Sequence, residues 1–263
     1  MGYLNTSEGK IHYKLIRKKN AKFLTLIGGL GSEISSWDKQ VEYYRRYFSV
    51  LVFDNLGSGK SDEPKSNHSM EIFASNTLEI LDQLKIKKTH VIGKSMGGMI
   101  AQVFAAKYKN RIDKLVLGCT SATRDNVGKE IIDIAKKTAK NVGLKELWFN
   151  AFLLGYSREY VNRNFNTYKK TKVDSTEESI NGYLKQCVAI EKLNNIKYIK
   201  KIICKTLIIH GKDDLIVDPK KSFELALHIK NSQLISFPGG HGFWKENVNL
   251  VDNEVVEFLV NRS

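Results

Sequence analysis

Short apolar runs, spaced along nearly the whole chain, constrain the fold more than any other feature. KFLTLIGG (22–29) and FSVLVFD (48–54) are each a few residues of almost unbroken hydrophobicity ending in glycine or aspartate, as strands buried on both faces are. THVIG (89–93), KLVLGC (114–119), KTLIIHG (205–211) and QLISF (233–237) read as further strands. Between them lie helical stretches: SSWDKQVEYYRRY, then residues 69–84, then the small-residue segment MGGMIAQVFAAKY. In 69–84, Ile72, Phe73, Asn76, Ile80, Leu81 and Leu84 fall near one face and Ser69 is placed to cap the start. LALHIK lies near the end of another helix, and LVDNEVVEFLV closes the chain as a helix. GYLNT and KIHYKLIR, joined by SEG, form a hairpin-like start. Strands alternating with helices predict an α/β fold with a mostly parallel central sheet and helices on both faces.

The 263 residues suffice for one large core at the upper end of single-domain size. From 121 to about 200 the rhythm breaks: helical periodicity dominates and no strand-like run occurs. The expected organisation is a core of residues 1–120 and 202–263 with a helical insertion at 121–201. That insertion falls where ligand-binding loops of open α/β sheets gather, at the carboxyl ends of strands.

Half of the net charge of +14 lies in residues 121–201, less than a third of the length. Such a charge is open to nucleic acid, anionic membrane or acidic protein partners. Here Lys is interspersed with Glu and Asn at helical spacing, which reads first as a solvated helix surface. The N-terminal MGYLNTSEGKIHYK has no leader-like head or apolar stretch, Gly2 is not followed by a convincing lipidation signal, and no run of about 18 apolar residues occurs. Cys119, Cys187 and Cys204 are odd in number and scattered, and the six histidines include no i, i+4 pair on one helix. The expectation is a soluble cytoplasmic protein with reduced thiols, without a metal or cofactor and without nucleic-acid or membrane partners.

Two stretches suggest chemistry. GSGKS (57–61) has the look of a P-loop tail, but the glycine required five positions before the glycine of GKS is replaced by Asp54, and the proline of DEP disfavours a helix after Ser61. VIGKSMGGMIAQ places Gly93, Ser95 and Gly97 as GxSxG between a strand and a helix, where a sharp turn would lift the serine hydroxyl above the sheet. A serine hydroxyl needs a base and an acid that orients the base. FPGGHGFWKE supplies His241 after the last strand, and IIHGKDDLIVDP supplies Asp213 and Asp214 after the one before, giving the order Ser, Asp, His.

These motifs resemble the α/β-hydrolase superfamily from about Phe23 to Leu259, and are similar to its small cofactor-free branch of 3-oxoadipate enol-lactonases and pimeloyl carrier-protein methyl ester esterases. The resemblance implies a triad of Ser95, Asp214 and His241. Asp214 is preferred to Asp213 because it falls third after Gly211, as in the HGxxD pattern. It also implies an oxyanion hole from the backbone N–H groups of Leu30 and Met96. FDNLGSGKS then matches the DxRGxGxS loop, with Leu56 in place of the usual arginine. Other departures are Gly28 where histidine is common, Lys109 and Lys205 where proline is frequent, and Lys94 just before the serine. Lys94 is open to two readings, lysine-rich drift or preference for an anionic substrate.

Gly29, Trp148 and Phe152 are candidate substrate contacts, although the aromatic residues of the insertion also suit its own core. Trp37 and Trp244 are expected to pack only. The implied activity is hydrolysis of a carboxylic ester or lactone through an acyl-enzyme. A first alternative is an esterase for acyl groups on an acidic carrier protein docking on the basic insertion, and a second is a non-catalytic binding protein on the same scaffold.

Overall fold

The computed structural model describes residues 1–65 and 68–261. The chain runs through β1 (Gly2–Thr6), β2 (Gly9–Ile16), β3 (Phe23–Ile27), α1 (Asp38–Tyr44), β4 (Ser49–Phe53), α2 (Met70–Gln83), β5 (Thr89–Lys94), α3 (Met96–Lys107) and β6 (Ile112–Gly118). Four helices follow without a strand: α4 (Asn126–Asn141), α5 (Leu144–Gly155), α6 (Arg158–Lys170) and α7 (Glu177–Glu191). After the single turn α8 (Ile196–Ile199) come β7 (Lys205–Gly211), α9 (Lys220–His228), β8 (Ser232–Phe237), α10 (Phe243–Glu246) and α11 (Val248–Val260).

The strands form one sheet in the order β1-β2-β4-β3-β5-β6-β7-β8, antiparallel at β1-β2 and β2-β4 and parallel from β4 to β8. The apolar runs are continuous because successive residues enter two different cores. Leu51 and Phe53 of β4, Leu115 and Leu117 of β6 and Ile208 of β7 pack with α2 and α3. Their neighbours Val50, Val52, Val116, Leu207 and Ile209 pack with α1, α10 and α11. Each such fully buried side chain contributes about 1.5–3 kcal/mol.

Ser69 Oγ accepts the Ile72 N–H and starts α2, and Asn76 is buried on its inner face, as the spacing anticipates. In α3 small residues let the helix lie directly on the sheet, and only its last residue is exposed. The four helices after β6 leave and rejoin the core at a single point, where Thr123 bridges Asn194 and the Asn195 N–H donates to Ala122 O. The parallel strands all end at one edge of the sheet, so the segments after β3, β5, β7 and β8 converge there.

On the α1/α11 side the core contains one acid. Asp252 is fully buried, and its Oδ1 accepts both the Tyr44 hydroxyl (2.6 Å) and Trp244 Nε1 (2.7 Å). Burial raises the Asp252 carboxyl above its ordinary value. Trp37 and Trp244 meet edge to face beside it at 6.2 Å, both in the core. Asp252→Leu strands two buried donors and is expected to cost about 3 kcal/mol in urea unfolding, whereas Asp252→Asn keeps the accepting oxygen and costs less. Because the folded value is raised, the aspartate favours the fold most at pH below the ordinary carboxylate range and loses that advantage as pH rises through the folded value. Asp252→Asn removes this slope, and an unchanged pH dependence in that variant would contradict the assignment.

Candidate functional site

Ser95 sits in the turn between β5 and α3 at φ 55°, ψ −121°, a conformation that side chains rarely adopt. Close packing enforces it. A Cβ on Gly97 would lie 2.1 Å from Ile27 O of β3, and one on Gly93 would lie 2.3 Å from Gly97 O, so neither arm of the bend tolerates a side chain. The Ser95 N–H donates to Gly118 O (2.9 Å), and Ser95 O accepts from Thr120 Oγ1 (2.7 Å) and the Gly98 N–H (2.9 Å). The hydroxyl makes no cap bond to the helix, which leaves it for another partner.

That partner is His241, whose Nε2 lies 3.1 Å from Ser95 Oγ. Its Nδ1 lies 2.8 Å from Asp214 Oδ2, and Asp214 Oδ1 accepts the N–H groups of Ile216 and Val217, both at 2.9 Å. The Asp214 side chain is sealed from solvent, and its two oxygens meet the ring and two backbone N–H groups. The neighbouring Asp213 is exposed, and its N–H donates to Gly239 O (3.0 Å). The imidazole of His241 thus turns Nδ1 to the carboxylate of Asp214 and Nε2 to the hydroxyl of Ser95.

Ser95 and His241 line a cavity of about 1180 Å³, which Gly29, Leu30, Trp148 and Phe152 also line. The segment after β3 passes beside the serine: a Cβ on Gly29 would be 3.2 Å from Ser95 Cβ. Among the described residues neither the Leu30 nor the Met96 N–H has an acceptor outside the regular elements. Phe152 stacks on Tyr168 at 3.7 Å and is buried, so it serves chiefly the packing of α5 on α6, while Trp148 packs edge-on to Tyr183 of α7.

The glycine-rich stretch after β4 supports this wall. Asp54 is buried, and its carboxylate lies 2.8 Å from His12 Nδ1 and accepts the N–H groups of Ile34 (2.6 Å) and Lys60 (3.0 Å). Asn55 Nδ2 donates to Gly28 O (3.0 Å), Ser61 Oγ to Asp54 O (2.7 Å), and Asp62 Oδ2 accepts the Lys10 N–H (2.9 Å). Leu56, in the arginine position, is fully buried in the core and lies outside the cavity wall. Beside Gly28, Trp37 Nε1 is buried without a partner among the described residues, 3.5 Å from where a Cβ on that glycine would sit.

Two polar residues that the sequence alone did not single out, Gln186 and Glu246, join the helical segment to this site. Gln186 of α7, fully buried, accepts the Gly31 N–H (2.7 Å) and donates to Leu56 O (2.8 Å). Glu246 accepts the N–H groups of Ser157 (3.1 Å) and Gly240 (3.3 Å) and the Ser157 hydroxyl, tying the start of α6 to the His241 loop. The Gly242 N–H donates to Gly155 O (2.6 Å), and a Cβ on Gly242 would meet the Tyr156 ring at 2.1 Å. Arg124, also in the cavity wall, donates to Gly128 O (2.5 Å), and burial lowers its guanidinium against the pull of Asp125 and Asp214. Gln186→Leu orphans a donor and an acceptor at once. It is expected to lower stability by about 1–3 kcal/mol in urea unfolding, and no loss would contradict the pinning role.

Among the described residues no group of three His, Cys, Asp or Glu is placed to hold a metal, and no helix is long and apolar enough to cross a membrane. Residues 23–247 match the family described as alpha/beta hydrolase fold. The 3-oxoadipate enol-lactonase 2 of Acinetobacter baylyi is 21% identical over 90% of this chain and 88% of that protein. The bifunctional esterase/perhydrolase DCH of Acinetobacter calcoaceticus is 25% identical over 98% and 99%. The crystal structure of the enol-lactonase from Burkholderia xenovorans LB400 superposes with a TM-score of 0.89 at 26% identity, covering 99% of this chain and 100% of that one. The strained serine turn, the sheet order and these matches agree: the chain belongs to the alpha/beta hydrolase family, on its enol-lactonase-like branch.

Proposed function

We propose that the protein is a serine hydrolase of carboxylic esters or lactones that works through an acyl-enzyme. The observation that carries this reading is the unbroken run of contacts from Ser95 Oγ through His241 to Asp214 at the wall of a large cavity. Ser95 Oγ attacks the acyl carbon as His241 Nε2 takes its proton, and Asp214 stabilises the imidazolium that results. The Leu30 and Met96 N–H groups receive the oxyanion, with the amino end of α3 adding its positive dipole. His241 then protonates the departing alcohol oxygen, which in a lactone stays tethered to the acyl group. Water deprotonated by the same ring releases the acid and restores the serine.

In this proposal residues 1–120 and 202–263 form the catalytic core and 121–201 a cap, with Gly29 and Trp148 against the substrate and Phe152 behind them. A cytoplasmic setting belongs to the same reading and is supported by three free thiols. Docking of an acidic carrier on the cap gains little support, because Lys136 is paired with Glu191 and Lys137 with Asp133, both at 2.5 Å. Those pairs remove two charges from the surface that would receive it.

A fluorophosphonate probe is expected to label folded protein once, at Ser95, and to leave Ser95→Ala unlabelled. Folded protein that stays unlabelled would favour the non-catalytic reading. Asp214→Asn should lower kcat on a short nitrophenyl ester by about 10⁴ while the fold is kept. A loss of only a few fold would remove Asp214 from its assigned role and point to another acid.

A further inference from the structure

The wall of the cavity around Ser95 is mixed. From α4 and α5 it takes an apolar group that includes Ile131, Ile132, Leu144, Leu147 and Trp148. The turn Ile34–Trp37, the end of β5 and α10 add Ser35, Ser36, Lys94, Gly242 and Lys245 to the same wall. Lys94 is fixed by its place next to Ser95, and Lys245 by its place four residues after His241. Two cations therefore stand on the two segments that carry the nucleophile and the base.

Neither is neutralised. Among the described residues Lys94 and Lys245 form no ion pair, although thirteen other pairs occur. Lys94 instead lies over the Trp37 ring, 5.8 Å from its centre. The acid it does sense, Asp252, is engaged by Tyr44 and Trp244. Glu33, close in sequence to the two serines, faces Asp54, Asp174 and Lys60. Arg124 differs, since it has Asp125 and Asp214 as counter-charges. Burial first, and then the like charges of Lys94 at the end of β5 and Lys39 on α1, hold the Lys245 ammonium down to about 8. Keeping two like charges together in a half-buried wall is unfavourable until an anion enters.

We infer that Lys94 and Lys245 form an anion subsite, so that the substrate carries a carboxylate or phosphate group as well as an apolar part that meets α4 and α5. The inference rests on the proposed hydrolase reading for the word substrate, but the subsite itself is a binding property. Lys94 thereby takes the second of its two sequence readings. The shared requirement is an oxyanion within reach of two ammonium groups, which a charge-neutral ester lacks.

The test separates the two claims. Glutarate and glycerol phosphate are titrated calorimetrically into Ser95→Ala, where no turnover can occur, and into the same protein carrying Lys245→Met or Lys94→Met. Binding of at least one anion is expected, weakened about tenfold by either methionine. It should be preserved in Lys245→Arg, which keeps the charge. Binding should also weaken above about pH 8 in the lysine protein, as Lys245 gives up its proton, and not in Lys245→Arg. With Ser95 intact, Lys245→Met should lower kcat/KM for monomethyl glutarate about tenfold more than for methyl butyrate. Failure of both anions to bind, or binding indifferent to both methionines, overturns the subsite even if neutral esters are hydrolysed. Anion binding without any ester hydrolysis would overturn the hydrolase reading and leave the subsite standing.

Discussion

The site depends on how closely α3 lies against the end of β3. Gly97 brings the first turn of the helix within contact of the Ile27 and Gly28 carbonyls, and that approach bends the backbone at Ser95 into a conformation it would not hold alone. Strain of this kind costs on the order of 1–3 kcal/mol and persists only where the surroundings over-determine it. Here the surroundings are the fully buried α3, the Gly118 carbonyl and the Thr120 hydroxyl. The hydroxyl is consequently left with one partner, His241. Every other group of the site is placed relative to that fixed point by a segment leaving the same edge of the sheet.

The segment between β6 and β7 roofs this edge and is held to it by a few polar contacts. Gln186 fastens α7 to the segments that follow β3 and β4, while Glu246 and Gly242 fasten the junction of α5 and α6 to the His241 loop. Both contacts reach segments that carry candidate catalytic groups. The helices over the cavity are therefore tied both to the segments after β3 and β4 and to the His241 loop.

The sheet was readable in advance because strands buried on both faces produce runs such as SVLVF, in which Val50 and Leu51 fill different cores without interrupting hydrophobicity. Ser95, Asp214 and His241 could be singled out because a tight glycine-flanked turn, a strand end and a glycine-flanked loop each leave a local signature, and the structure brings the three side chains within hydrogen-bonding distance. The apparent P-loop resolved into a hydrogen-bonded support built on Asp54, with Leu56 inside the core. Gln186 and Glu246 left no such signature: an isolated polar residue on a helix reads as solvated until its partners, far away in sequence, are known. The pairing of Lys94 with Lys245 was hidden for the same reason. Phe152 shows the limit of composition, since an aromatic residue at the edge of a cavity can serve chiefly its neighbours, here Tyr168.

The account stands or falls on a covalent intermediate at Ser95. Rapid mixing of the protein with a slowly deacylated nitrophenyl ester should release a burst of about one nitrophenol per active site, followed by a slower steady rate. Quenching within the burst and mapping peptides by mass should place the acyl group on Ser95. Hydrolysis with no burst and no acylated peptide, under conditions where deacylation is slow, would contradict it.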